Sequence, residues 1–156
     1  MGFIVASALQ SKGDFMKETI AESPEPGRFE FQKWAVYENA QVFVVAAYKI
    51  CGQLPRDSAT GIRDQLRRAS QSIPLNIAEG SARYTGRDKG NFFRIARGSV
   101  FECVAILDSV QRLGFLQKDL GDSFKLLETI SRMLSGLIGY VEGEKYKQGN
   151  KSASPI

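Results

Sequence analysis

Histidine is absent from this chain of 156 residues, and cysteine occurs only twice, at Cys51 and Cys103. Histidine is the commonest general base and the commonest metal ligand, so its absence argues against most acid–base catalysis and most zinc sites. The two cysteines are far apart and form no Cys-x-x-Cys pair. We predict two buried thiols, no metal and no cofactor, in a reducing cytoplasm where disulfides are rare.

Catalytic sequence motifs are also missing. The chain has no Gly-x-Ser-x-Gly nucleophile elbow, no Gly-x-x-x-x-Gly-Lys phosphate loop and no evident pair of carboxylates. Serine, glutamate and lysine side chains are present, but no spacing joins them into a recognisable site. We therefore predict that the protein is not an enzyme.

Long apolar runs are lacking as well. The run at residues 3–9 is too short, and wrongly flanked, for a secretory signal or a membrane span. We therefore expect neither export nor a membrane partner. Residues 1–30 mix Ser, Lys, Glu and Pro, and we expect a loosely ordered N-terminal arm there. Residues 143–156 are polar, with two glycines and a proline, and are expected to form a flexible C-terminal tail.

Between these ends, apolar residues recur at helical spacing. Four segments show it: residues 31–52, a second segment from near Asp57 or Ser58 to about Gly80, residues 88–113, and residues 118–142. A repeat of four and three residues is typical of helices packed with nearly aligned axes. The third segment follows it at Phe92, Ala96, Ser99, Cys103, Ile106, Val110 and Leu113. The pattern predicts an all-α, antiparallel up-down-up-down four-helix bundle over residues 31–142.

The first helix carries two apolar rows instead of one. One row is Val36, Ala40, Phe43, Ala47, Ile50 and Leu54, and the other is Trp34, Tyr37, Val44, Tyr48 and Cys51. A surface helix in a monomer normally has a single apolar stripe. Two interpretations remain open: the helix contacts its own bundle and another subunit, or it lies deep in one core.

The second helix contains Pro74, which removes a backbone donor and must kink the helix or be held by its neighbours. Asn76 and Glu79 follow on an otherwise apolar segment, and Arg94 and Arg97 lie on the next helix. One interpretation is a structural polar cluster of Asn76, Glu79, Arg94 and Arg97, with Glu79 paired to one of the arginines. The alternative leaves these arginines free.

Positive charge is concentrated in one part of the chain. Residues 55–97 carry a net charge of +5, whereas the rest sums to −1. Arginine suits bidentate phosphate contacts, and a clustered basic surface is the electrostatic signature of a nucleic-acid binder. The candidate nucleic-acid-binding residues are six cations, with Tyr84 as a stacking contact. The cations are Arg63, Arg67, Arg68, Arg83, Arg87 and Lys89.

Two stretches also resemble a known family. Residues 65–83, QLRRASQSIPLNIAEGSAR, and residues 93–102, FRIARGSVFE, are similar to the four-helix bundle proteins encoded within intervening sequences of bacterial large-subunit ribosomal RNA genes. The resemblance covers about residues 31–142. That family is similar in fold to the accessory variability protein of diversity-generating retroelements, a basic pentameric barrel that works with a reverse transcriptase and nucleic acid. The resemblance implies a homo-oligomer, as a ring of five subunits, and no established reaction.

Two functions are consistent with these observations. In the first, a homo-oligomer binds RNA or another structured nucleic acid through its basic surface, by backbone shape and not by sequence. In the second, the bundle is a protein-interaction scaffold or accessory subunit that presents its basic face to an acidic protein partner.

Overall fold

A computed structural model describes residues 29–57 and 59–149. A short 3₁₀ turn, Glu30–Lys33, leads into four α-helices, which we number in chain order. Within the described residues there is no β-strand, so the predicted all-α bundle is confirmed. The helices are α1 (Ala35–Gln53), α2 (Thr60–Ser81), α3 (Gly86–Arg112) and α4 (Gly121–Gly149).

Consecutive helices run in opposite directions. Ser72 in the middle of α2 meets Ser99 in the middle of α3, and Gly80 near the end of α2 lies against Phe93 near the start of α3. The start of α3 in turn reaches the distal part of α4, where Arg94 pairs with Glu142. Because α4 also packs against α1, the four helices close around one core.

The predicted apolar rows supply that core. Every residue of the first row of α1, from Val36 to Leu54, is buried. The seam of α3 is buried over its middle part, from Ala96 to Val110, but Leu113 at its end is 57% exposed. Leu113 follows the last residue of α3 and lies in the turn. At the start of α3 the seam residue Phe92 is only half-buried, and its neighbour Phe93 is fully buried instead. The periodicity therefore predicted the core correctly over the middle of the helix.

Local sequence explains where α3 begins and ends. The backbone N–H of Asp88 donates to Thr85 Oγ1 (3.1 Å), and the Thr85 hydroxyl donates to Asp88 Oδ2 (2.6 Å). This reciprocal cap satisfies a helix N–H that has no partner inside the helix. At the other end Gly114 has a φ of +66°, and the Phe115 N–H bonds to the Val110 carbonyl. Gly114 thus ends α3 in a left-handed conformation, as the sequence predicts.

Some predicted boundaries differ from the observed ones. α2 begins at Thr60, so Asp57 lies too early to cap it, and Ser58 lies outside the described residues. α4 begins at Gly121, whose N–H donates to Asp119 Oδ1, and continues to Gly149, beyond the predicted end at 142. Of the N-terminal arm predicted over residues 1–30, residues 1–28 lie outside the described residues. Of the flexible tail predicted over residues 143–156, residues 143–149 instead continue α4, and residues 150–156 lie outside the described residues.

Pro74 lies within α2, and the helix continues through it to Ser81. The proline itself is buried. Beside it, Asn76 Nδ2 donates to both the Ser72 carbonyl (2.8 Å) and the Ser72 hydroxyl (3.0 Å). These bonds brace the turn that lacks the proline N–H, so the neighbours hold the helix as the sequence requires.

Candidate nucleic-acid interface

The seven predicted binding residues fall into two groups in the structure. Arg63, Arg67 and Arg68 lie in the first turns of α2, whereas the others surround the turn between α2 and α3. We call this second group the turn cluster, and it consists of Arg83, Tyr84, Arg87 and Lys89. At 1.5 Å per helical residue, about 20 Å of α2 separates the two groups.

Arg67 packs between α1 and α2. Its guanidinium lies 5.5 Å from the centroid of the Tyr48 ring, and its Nη1 is 3.9 Å from Asp64 Oδ1. Its Nε atom is buried and has no hydrogen-bond partner. Such a side chain stabilises the packing of α1 on α2 mainly through its aliphatic stem and its contact with the aromatic ring.

Arg63 and Arg68 differ in exposure. Arg63 is half-buried, and its carbonyl accepts a hydrogen bond from the Cys51 thiol (3.5 Å). Arg68 is exposed and has no ion-pair partner among the described residues. Within this group, Arg68 is therefore the side chain best placed to reach a ligand.

In the turn cluster, Arg83 is held in place from two sides. It forms an ion pair with Glu79, one helical turn earlier, and its guanidinium lies 4.6 Å from the centroid of the Phe92 ring. A guanidinium fixed against a ring loses little further conformational freedom when it binds a phosphate or a base.

The other members of the turn cluster face solvent. Tyr84 is fully exposed, Arg87 is exposed and Lys89 is partly exposed. Among the side chains that the structure describes, which in α4 end at Gly143, neither Arg87 nor Lys89 has an ion-pair partner. The nearby carboxylate of Asp88 already accepts the Thr85 hydroxyl bond that caps α3. The turn cluster therefore presents two unpaired cations and one open aromatic ring.

The predicted structural polar cluster does not form as expected. Glu79 pairs with Arg83, whereas Arg94 pairs with Glu142 and contacts Asn91 (3.4 Å). Among the described residues, Asn76 bonds within α2, to Ser72. The predicted pairing of Glu79 with an α3 arginine is thus wrong: Glu79 pairs with Arg83, which lies four residues later, just past the end of α2, and is reached without crossing to α3.

Arg97 illustrates a contact that sequence reasoning missed. Its guanidinium lies 5.1 Å from the centroid of the Phe101 ring, and both side chains are exposed on α3. The spacing of four residues was available as a signal, since such residues are neighbours on a helix. The contact of Arg83 with Phe92 joins the turn after α2 to α3 and had no comparable signal.

Large apolar side chains are exposed on α1, α2 and α3, and Tyr140 is exposed on α4. On α1, Val44, Val45 and Tyr48 line a shallow groove with Lys49 and the α2 residue Gln71, whose amide donates to the Tyr48 hydroxyl (2.7 Å). Three further residues of α2 and α3 are more than half exposed: Leu75, Ile95 and Phe101. The second row of α1 is therefore only partly covered by its own bundle.

Both cysteines are buried free thiols, as predicted. Burial, and secondarily the charge of Glu102, raises the pKa of Cys103 to about 12. Burial also raises the pKa of Cys51, although Arg67 and Arg63 oppose it. Neither thiol is activated as a nucleophile. Among the described residues, no group of three or more Cys, Asp or Glu side chains is placed to hold a metal ion.

Within the described part of the chain, every helix is too short or too polar to cross a bilayer.

Comparisons with known proteins give one result. A family model described as 23S rRNA-intervening sequence protein matches residues 32–136. This match covers more than half of the chain and includes α1, α2, α3 and the turn cluster. A search of curated proteins found no match.

Proposed function

The chain belongs to the 23S rRNA-intervening sequence protein family, and on that premise we propose that it is a non-enzymatic homo-oligomer that binds RNA or another structured nucleic acid. The binding surface is the turn cluster, extended along α2 by Arg68. Phosphate contacts would supply most of the affinity, with no requirement for a particular base sequence.

This proposal rests on whether the cations at the α2–α3 turn have ion-pair partners. Arg87 and Lys89 have no carboxylate partner among the described residues, and Arg83 is fixed beside them by Glu79 and Phe92. An unpaired surface cation keeps its full attraction for a phosphate, whereas one in an ion pair must first release its partner. The local arrangement thus favours anion binding beyond what the overall charge of +4 suggests.

Oligomerisation is the second part of the proposal, with five subunits as the family resemblance implies. The exposed apolar residues support it, because a contact between subunits would bury Val45 and Tyr48 of α1 and Leu75 of α2 away from water. Repetition of a moderately basic site around a ring also raises affinity for one long polyanion.

The mass of the particle tests the oligomer. Light scattering should give about five times the chain mass of 17.3 kDa. Replacing the 66%-exposed Leu75 by Glu should lower the mass while leaving the helical circular dichroism unchanged. A wild-type particle of one chain mass would refute assembly.

Nucleic-acid binding is tested by fluorescence anisotropy with a labelled structured RNA at several salt concentrations. The double variant R87Q/K89Q should reduce the slope of log K against log salt by about 2, since each lost phosphate contact removes about 1. The matched control is R112Q/R132Q, which removes the same charge from arginines that are already paired with Asp108 and Glu128. Equal losses in both variants would contradict a specific site, and no binding at low salt would refute the function.

The scaffold function remains the second candidate, because Leu75, Ile95 and Phe101 are exposed and suit a protein partner. It predicts that purification after nuclease treatment retains one protein at a fixed ratio to the bundle. It also predicts no salt-dependent RNA binding.

A further inference from the structure

Tyr84 is the most exposed aromatic side chain at the α2–α3 end of the bundle. It follows the end of α2 and precedes the Thr85 cap of α3, and its ring packs on no other ring among the described residues. A tyrosine on a surface usually covers part of its apolar ring with neighbouring side chains. This ring instead offers its faces to solvent, between Arg83 and Arg87.

A second exposed ring lies at the same end of the bundle. Phe29 is 72% exposed and stacks on Phe31 with ring centroids 6.0 Å apart. Phe31 in turn contacts Tyr37 of α1 edge-on at 5.0 Å. The start of α1 belongs to this end because Trp34 contacts Phe93, which lies against Gly80 near the end of α2.

The opposite end of the bundle provides an internal comparison. At the turn between α3 and α4 the aromatic side chain is Phe115, which is partly buried against the core. Arg112 at that end is paired with Asp108 at 2.8 Å. Among the described residues, the α2–α3 turn therefore places an exposed ring beside unpaired cations, whereas the ring at the α3–α4 turn is partly buried.

Duplex and unpaired nucleic acid differ in what they offer such a surface. In a duplex the faces of the bases are stacked on one another, so a protein reaches mainly phosphates and groove edges. An unpaired base exposes its face and can stack on an aromatic ring or an arginine plane. An open tyrosine flanked by arginines matches unpaired nucleotides, with the ring against a base and the cations against the flanking phosphates.

We propose that the α2–α3 end of the bundle binds unpaired nucleotides, with Tyr84 as the stacking residue and Arg87 and Lys89 as the phosphate contacts. Arg83, fixed on Phe92, is a second surface on which a neighbouring base can stack. This inference rests on the proposed nucleic-acid function and narrows its ligand to single-stranded segments such as loops, bulges and ends.

The test compares two probes of equal length, a single-stranded oligouridine and a fully paired RNA duplex, by fluorescence anisotropy with the full chain. Y84L should weaken binding of the oligouridine about tenfold, because one lost base stack has roughly that effect. It should leave duplex binding unchanged. Y84F keeps the ring and should bind like the wild type. F101L removes an exposed ring in the middle of α3 and should have no effect on either probe.

The results separate this inference from the function on which it rests. If Y84L weakens neither probe, or both equally, the stacking role is refuted while salt-dependent binding still supports the proposed function. If the duplex binds as tightly as the oligouridine, the restriction to unpaired nucleotides is refuted. If neither probe binds, both proposals fail. Because Tyr84 is fully exposed and outside the helices, circular dichroism should be the same for the wild type, Y84L and Y84F.

Discussion

The hydroxyl oxygens of Ser72 in α2 and Ser99 in α3 lie 2.8 Å apart, within the longest interface of the bundle. Asn76 donates to the Ser72 hydroxyl and carbonyl, so the hydrogen-bonded contact continues to the turn around Pro74. Asn76 was expected to join a cluster of charged residues. It instead steadies the proline-containing turn and places Ser72 opposite α3.

Replacing Ser99 by alanine should lower the free energy of unfolding by about 1 kcal/mol, because it removes one hydrogen bond between partly buried groups. Urea unfolding of wild type, S99A, S72A and the double variant measures the effect. The two single changes should not be additive, since both remove the same contact. Additive losses would show that the two hydroxyls do not interact.

Glu79 should contribute little to stability. Its partner Arg83 lies just past the end of α2 and is about half exposed, and exposed ion pairs contribute about 0.2–1 kcal/mol. E79A should therefore leave the melting temperature almost unchanged, whereas a buried link to α3 would lower it clearly. A large drop in the melting curve of E79A would restore the polar-cluster interpretation.

Gly86 should not tolerate a side chain. A Cβ at this first residue of α3 would overlap the backbone carbonyl oxygen of Val141 in α4, and backbone cannot move aside as a flexible side chain can. G86A should destabilise the protein by about 1–3 kcal/mol, as overpacking does.

Gly136 in α4 is the matched control, since a Cβ there meets nothing within 4 Å. G136A should increase stability by about 0.5–1 kcal/mol through helix propensity. Equal effects of the two changes in denaturant titrations would argue against close packing of α3 on α4.

Alkaline pH should destabilise the fold through Cys103. The thiol has its ordinary pKa of 9.0 in the unfolded chain and a pKa of about 12 in the folded protein, mainly because it is buried. The protonated thiol therefore makes its full contribution to the free energy of unfolding below pH 9, and this contribution is lost as the pH rises toward 12. At pH 10 the loss is about 1.4 kcal/mol for this one group.

The difference in unfolding free energy between wild type and C103A, measured from pH 8 to pH 10.5, isolates this contribution from the tyrosines and lysines that titrate nearby. It should shrink as the pH rises. A difference that stays constant over this range would mean that the thiol is not buried.

The fold was predictable because its signal is local and repeated. Each row of apolar residues spans several helical turns, so single deviations such as Leu113 do not hide the period. The reciprocal cap at Thr85 and the left-handed Gly114 depend on residues within a few positions of each other. The Arg83–Glu79 pair is local in the same way, because its two residues are four positions apart in the sequence.

The sequence by itself therefore determined the helical class, the order of the helices and the residues that form the core. The tertiary structure decided which cations are free: Arg67 packs on Tyr48, Arg94 pairs with Glu142, and Arg87 has no ion-pair partner in the described part of the chain. These outcomes depend on how far each helix is shifted along its axis relative to the next helix, and on how far it is rotated about that axis. That register is set by packing of the whole core, and no short stretch of sequence encodes it.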